Sequence, residues 1–284
     1  MRLILYGIPA SGFFLILLGI RKGSVFMNLL VIGDVVGSGG VRYLQAHLPD
    51  WKRQHAIDLV VANGENSADG NGITPASAHA LFAGGVDVIT TGNHVFRRHE
   101  IGEALDSEPY LLRPANYPPG APGKGWCIYD MGRIQVCVAN LMGTAYLESL
   151  DCPFRTADRI LAETPEVHIH IFDFHAEATG EKRALGYYLD GRASVVFGTH
   201  THVQTADTSV LPGGTGYITD AGMTGAVESV LGVKPELVIA KMKQKLPVRF
   251  ENATGAHMMN GAFFRIDDAS GRTLAAERVD VRSR

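Results

Sequence analysis

MNLLVIGDVVGSGG, residues 27–40, decides the fold class. Asn28 to Gly33 is an apolar run without polar alternation, the pattern of a strand covered on both faces. It ends on Gly33-Asp34, passes a glycine-rich turn and enters a helical stretch, roughly Val41 to Gln54. A buried strand followed at once by a helix is the opening of a parallel sheet packed by helices.

The same unit recurs along the chain. LVVANG (59–64) reads as a second strand, Thr74-Pro75 opens a helix with a capping residue and a proline at its first position, and VDVITTG (86–92) is a third strand. GWCIYDMGRIQVCVANL (125–141) holds two β-rich runs joined by Asp130-Met131-Gly132, a hairpin signal that makes the sheet mixed. VHIHIFDFH (167–175) and ASVVFGTH (193–200) resume the rhythm, with EKRALGYYLDG between them. The C-terminal third mixes strands (TGYITDAG, GAFFRI) with one helix near Val233–Lys245. No repeat, linker or low-complexity tract interrupts residues 27–284, which read as one domain.

Polar residues collect where these strands end. Asp34 follows the first; Glu65 and Asn66 the second; Asn93 and His94 the third; His175, then His200 and His202, close two more. Loops at the carboxyl edge of an open α/β sheet converge on the ligand crevice. Each short motif alone is also a plausible turn, because Asn, Asp and Gly favour turns. The two imidazoles of Gly-Thr-His-Thr-His are more telling, since a core has no use for them. Carboxylate, amide and imidazole donors without a thiolate suit Fe, Mn, Zn or Co. Eight such groups exceed the needs of one tetrahedral ion and favour two, a pair that can activate a water and clamp a phosphate.

Bulk properties set limits. Hydrophobic residues are 46% and charged residues 19% of the 284, ordinary for a globular protein. A net charge of −3 lacks the basic footprint of stable nucleic-acid binding. Cys127, Cys137 and Cys152 have no C-x-x-C spacing and read as small apolar fillers of a reducing compartment. Residues 1–26 stand apart: Leu3 to Ile20 is almost wholly apolar, long enough as a helix to span about 27 Å, and is followed by Arg21 and Lys22. Pro9 interrupts it and Met27 begins a strand directly, so the segment reads as a mis-assigned start or dispensable extension, with membrane association as the other reading.

GDVVGSGG, NGENSADGNGIT, TTGNHVF, LLRPANYPPGAPGKG, DFHAEATGEKRALGYYLDGRASVVFGTHTHVQTAD and YITDAGMTG, in this order and spacing, resemble the bacterial 2′,3′-cyclic-nucleotide 2′-phosphodiesterases, a family of calcineurin-like metallophosphoesterases. The likeness runs from Met27 to about the C-terminus. It implies a four-layer α/β/β/α sandwich with mixed sheets, a cytoplasmic homo-oligomer, and two metal ions, Fe in first place with Mn or Zn as alternatives. By the same resemblance Asp34, Asn66 and His202 hold one ion, Asn93, His175 and His200 the other, and Glu65 bridges them. A metal-held hydroxide would attack phosphorus in line with the 2′-oxygen, and His94 would protonate the leaving alkoxide to give a nucleoside 3′-phosphate.

Two departures bear on substrate. The wider superfamily opens with D-x-H, whereas here Val36 takes the His position and Glu65 stands for the usual second-motif Asp; both fit this subfamily. Thr144 in ANLMGTAYL stands where relatives often carry Arg, and Arg97 and Arg98 are candidates to contact phosphate in its place. Alternative functions are a broader phosphomonoesterase or 5′-nucleotidase on the same site, and a metal-binding regulatory protein with incidental catalysis. His168 and His170 read as strand histidines. Asp173 and Glu177 could orient His175, and Asp220 could act on the same site from further out.

Overall fold

The structure, a computed structural model, describes residues 25–283. The apolar stretch Leu3–Ile20, with its competing readings, lies outside that range. Among the described residues no helix is long and apolar enough to cross a membrane.

Strand β1 (Phe26–Ile32) is buried from Met27 onward and continues past Gly33 into β2 (Asp34–Val35). Its two faces feed two different cores. Leu30 and Ile32 pack under helix α1 (Gly37–His55), whereas Leu29 and Val31 face the second sheet. That double burial explains the unbroken apolar run, each large side chain contributing about 1.5–3 kcal/mol. Beside β1 lie β3 (Leu59–Asn63) and β4 (Val88–Thr90), both parallel to it. Helix α2 (Pro75–Ala83) starts at Thr74, whose hydroxyl accepts from Ser77 N while Ser77 Oγ accepts from Thr74 N. The third helix, α3 (Ile101–Ser107), follows β4.

The hairpin at 125–141 is formed by β5 (Trp126–Asp130) and antiparallel β6 (Gln135–Met142). Helix α4 (Pro153–Glu163), strand β7 (Ile169–His175), helix α5 (Thr179–Tyr188) and strand β8 (Val195–Thr199) follow. The chain then runs through β9 (Ser209–Val210), β10 (Gly216–Ile218), β11 (Met223–Ala226), helix α6 (Pro235–Gln244), β12 (His257–Asp267) and β13 (Thr273–Arg282). One sheet has the order β2-β11-β12-β1-β3-β4 with β13 on β12; the other runs β5-β6-β7-β8-β10-β9. Both mix parallel and antiparallel pairs.

Three apolar cores separate four layers. One joins α1 and α2 to the first sheet, one fills the gap between the sheets, and one joins α4 and α5 to the second sheet. The expected α/β/β/α sandwich is therefore present.

Two local differences have physical causes. The glycine-rich turn at 37–40 is already the first turn of α1, and Gly40 lets that turn lie against β11, since a Cβ there would fall 2.4 Å from the Thr224 carbonyl oxygen. Of the cysteines, Cys127 and Cys137 are buried fillers whose thiols burial pushes up to about 12, but Cys152 is exposed.

Candidate metal centre

Parallel strands deliver their loops to one edge, and both sheets contribute to it. From the first sheet come Asp34, Glu65, Asn66, Asn93 and His94; from the second come His175, His200 and His202. All eight sequence-predicted residues meet there.

They meet in two overlapping groups. In one, His175 Nε2 faces Glu65 Oε1 at 3.1 Å, Asn93 Oδ1 at 2.9 Å and His200 Nδ1 at 3.0 Å. Glu65, His175 and His200 offer ligand atoms that all lie within 4.8 Å of one another. In the other, His202 Nε2 lies 3.5 Å from Asp34 Oδ1 and 3.3 Å from Asn66 Nδ2. Glu65 touches both groups, since Asn66 Nδ2 approaches its Oε1 at 3.4 Å.

The donor set fits a metal pair on two observations. Asp34 Oδ1 is a fully buried carboxylate oxygen without a hydrogen-bond partner. An unpaired acceptor of that kind is costly and points to a ligand. The second observation is the convergence of His175 Nε2 and His94 Nδ1 on Glu65 Oε1, at 3.1 and 3.4 Å, with His200 Nδ1 3.0 Å from His175 Nε2.

Electrostatics follow this crowding. Burial alone would raise the Asp34 carboxyl, but His202 beside it, then His175, and the His200 amide donated to its Oδ2 hold it far below the usual carboxylate range. Burial would likewise raise Glu65, and His175 lowers it instead. Burial would lower His175, but Glu65, then Asp34 and Asp173, push it up to about 9. His202 is raised against its burial by Asp34. His200 is lowered by burial and by neighbouring His175.

His94 sits at the rim. Its amide donates to Glu65 Oε2 at 2.8 Å and its Nδ1 lies 2.8 Å from Asn66 Oδ1, which fixes the ring and leaves Nε2 without either partner. Burial lowers its pKa, with His175 and Arg97 adding to the effect and Glu65 opposing it. Arg97 is exposed beside it. Arg98 instead donates Nε to Asn71 O at 3.0 Å and Nη2 to Asp69 O at 2.7 Å, tying down the 65–72 loop. Thr144 is engaged away from these residues: its amide and hydroxyl both donate to Glu181 of α5.

Of the residues that support the centre, Asp173, Glu177 and Asp220 are among the sequence candidates, whereas Asn63, Thr199 and Lys182 carry no sequence signal of their own. Asn63, fully buried, donates Nδ2 to Thr91 O and Asp173 Oδ2 and accepts the Glu65 amide. Asp173 orients His175 indirectly: Thr199 Oγ1 donates to Asp173 Oδ1 at 2.7 Å and lies 2.9 Å from His175 Nδ1. Glu177 pairs with His200 Nε2 at 3.0 Å. Buried Lys182 donates to Asp220 and to the Thr199 carbonyl, and Asp220 also accepts from Thr201, so this pair holds the loop bearing His200 and His202. His200 and His202 both have positive φ, 102° and 64°, a strain that such anchoring sustains. Gly92 is obligatory, because a Cβ there would fall 2.1 Å from the His175 ring. A period-based reading of α5 could have flagged Lys182 only by finding its charge on the apolar face.

A family profile described as YmdB-like protein matches residues 30–279. The chain belongs to the YmdB-like family. It is 46% identical over 254 residues to a protein of Bacillus subtilis (strain 168) named 2′,3′-cyclic-nucleotide 2′-phosphodiesterase, covering 89% of this chain and 96% of that one. Among solved structures of similar fold, a hypothetical protein from Thermus thermophilus is 40% identical with a TM-score of 0.85, covering 91% of this chain and all of that one. A phosphatase structure from Mycoplasma pneumoniae is 30% identical with a TM-score of 0.86, covering 91% and 94%. These relatives establish the resemblance that the sequence motifs carry, and with it the metallophosphoesterase fold.

Proposed function

We propose that this member of the YmdB-like family is a metal-dependent phosphodiesterase that hydrolyses 2′,3′-cyclic nucleotides to nucleoside 3′-phosphates. The observation that carries the reading is the pair of donor groups sharing Glu65, one of them holding the buried Asp34 Oδ1, which accepts no hydrogen bond and has His202 Nε2 at 3.5 Å. Asp34, Asn66 and His202 are assigned to one ion, Asn93, His175 and His200 to the other, and Glu65 to both. Two bound ions supply Lewis-acid stabilisation of phosphate charge and lower the pKa of an attacking water. Iron is the first candidate on the resemblance, and the nitrogen and oxygen donors suit Mn or Zn as well.

The protein's own part is positional. His94 Nδ1 donates to Asn66 Oδ1, so Nε2 is the nitrogen left for a departing 2′-oxygen, and it has a proton to give only in the imidazolium form, in which both ring nitrogens are protonated. Arg97 is the arginine open to a substrate phosphate, because Arg98 spends two of its donors on loop carbonyls. The name of the Bacillus subtilis relative supports the cyclic-nucleotide substrate.

The test is a direct competition. Purified protein loaded with Mn or Fe is given 2′,3′-cyclic mononucleotides and simple phosphomonoesters in parallel, and the product isomer is identified by chromatography. Nucleoside 3′-phosphate from the cyclic substrates at the higher kcat/KM is expected. Faster turnover of the monoesters would favour the phosphomonoesterase alternative.

A further inference from the structure

The motif LLRPANYPPGAPGKG contributes no ligand to the metal centre, yet it builds a cavity of its own. The cavity, of about 520 Å³, lies on the β5 edge of the second sheet, between the 109–125 connection, β5 and α4. Its lining includes Arg113, Lys124 and Arg159 with the rings of Trp126 and Tyr110, and includes no aspartate or glutamate.

Arg113 is the unusual member. It is only 9% exposed, and a guanidinium that deep normally faces a carboxylate. Here Nε donates to Pro122 O at 3.2 Å and Nη1 to Pro114 O at 2.8 Å, while Nη2 makes no hydrogen bond among the described residues. Neither Arg113 nor Lys124 has a salt-bridge partner among the described residues. Arg159 reaches Glu163 only at 4.0 Å, along its own helix. Burial lowers the Arg113 pKa, with Arg159 adding to the effect and the Tyr117 phenol opposing it, and no carboxylate acts on it. Neutral carbonyls satisfy two donors but cancel no charge, so positive charge is left facing the cavity.

We propose that this cavity is an anion site, separate from the metal centre, that binds the phosphate of a small phosphorylated ligand. Arg113 Nη2 supplies the fixed donor, Lys124 and Arg159 close on the anion from the rim, and Trp126 provides a flat apolar face for the rest of the molecule. A mononucleotide has the required combination of phosphate and ring. The site does not depend on the reaction assigned to the metal centre, since none of its lining residues belongs to that centre.

Trp126 makes the proposal measurable, because the chain has two tryptophans and the other, Trp51, lies on α1. A full-length Trp51→Phe protein reports on this cavity alone. It is titrated by fluorescence with inorganic phosphate and with adenosine 3′-monophosphate, against sodium chloride at matched ionic strength. Saturable responses to both probes are expected, the nucleotide binding more tightly, with half-saturation below about 1 mM. Adding Lys124→Gln and Arg159→Gln, both exposed positions, should weaken binding at least about tenfold. Arg113→Met should abolish it, but that change also frees the loop carbonyls, so the rim variants carry the test. Unchanged affinity in the rim variants, a chloride response equal to that of phosphate, or no saturation by about 10 mM would each overturn the proposal. A response confined to single-stranded RNA oligonucleotides would overturn it as well, in favour of an extended nucleic-acid surface.

Discussion

Strand β7 carries two histidines five positions apart, and they have opposite fates. His170 is 5% exposed and His175 not at all, so burial acts on both and pushes both imidazoles toward the neutral form. Yet His170 falls to about 4 whereas His175 rises to about 9. Their surroundings make the difference. His170 Nε2 lies 2.8 Å from the Thr164 hydroxyl, and the charged group acting on it is His168, of like sign. His175 faces Glu65 at 3.1 Å, with Asp34 and Asp173 beyond. A buried histidine is thus a packing element or a ligand according to whether carboxylates were folded in beside it. Strand position contributes, because the odd spacing puts the two rings on opposite faces of β7, His170 on the face of Phe172 and Phe174 that packs under α4 and α5 and His175 on the face of Ile169 and Ile171 that looks toward the first sheet.

The sharpest way to break the contrast is to remove the charge that sets His175 apart. Glu65→Gln keeps the shape but loses the carboxylate shared by both donor groups. Turnover of 2′,3′-cyclic nucleotides should fall on the order of 10³-fold or more, and metal content measured by elemental analysis should fall with it. An active, metal-replete variant would show that Glu65 is not a shared ligand.

His94→Ala separates proton donation from metal holding. Loss of a positioned acid costs about 10²–10⁴-fold in kcat, while metal content should stay at the parental level. Loss of metal together with activity would reassign His94 as a ligand. Thr199→Val cuts the hydroxyl link between Asp173 and His175. Outer partners of this kind are worth about 10–100-fold in metal affinity, read by competition with a chelator. An unaltered affinity would leave Thr199 with a packing role.

The candidate site was largely legible in the sequence because its parts are local signals. Strand, glycine and candidate ligand follow one another at Ile32-Gly33-Asp34, Asn63-Gly64-Glu65 and Thr91-Gly92-Asn93, and the edge of a parallel sheet brings such ends together. What escaped are contacts between distant segments. Asn63 is the last residue of a buried strand, and only the approach of β7 and β8 reveals it as a hub. Lys182 looks like one more charge on a helix until Asp220 arrives from 38 residues away. In the fold, β13 was missed because TLAAERVDVR is a half-exposed edge strand whose charges mask its alternation. Helix α3, of seven residues, is too short to show a period, whereas α4 carries one at Pro153, Ala157 and Ile160 that is readable in the sequence but absent from the expected elements. Asp173 and Glu177 looked equivalent around His175, whereas one acts through Thr199 and the other pairs with His200.

His170 offers the smallest effect and the cleanest control. Its imidazole titrates at 6.5 when free and at about 4 in the fold. Between those values the unfolded chain binds a proton that the folded chain refuses, so lowering the pH favours unfolding. The stabilising contribution of the neutral form is intact above 6.5, declines as the pH falls toward 4, and is level below that. The full gap corresponds to about 3 kcal/mol and the part lost by about pH 5 to about 2 kcal/mol. His170→Gln retains a polar partner for Thr164 and does not titrate. Urea unfolding of both proteins at neutral pH and at about pH 5 should show the parent losing about 2 kcal/mol more than the variant. Parallel losses would mean that His170 is protonated in the fold, and the contrast with His175 would then rest on something other than the missing carboxylate.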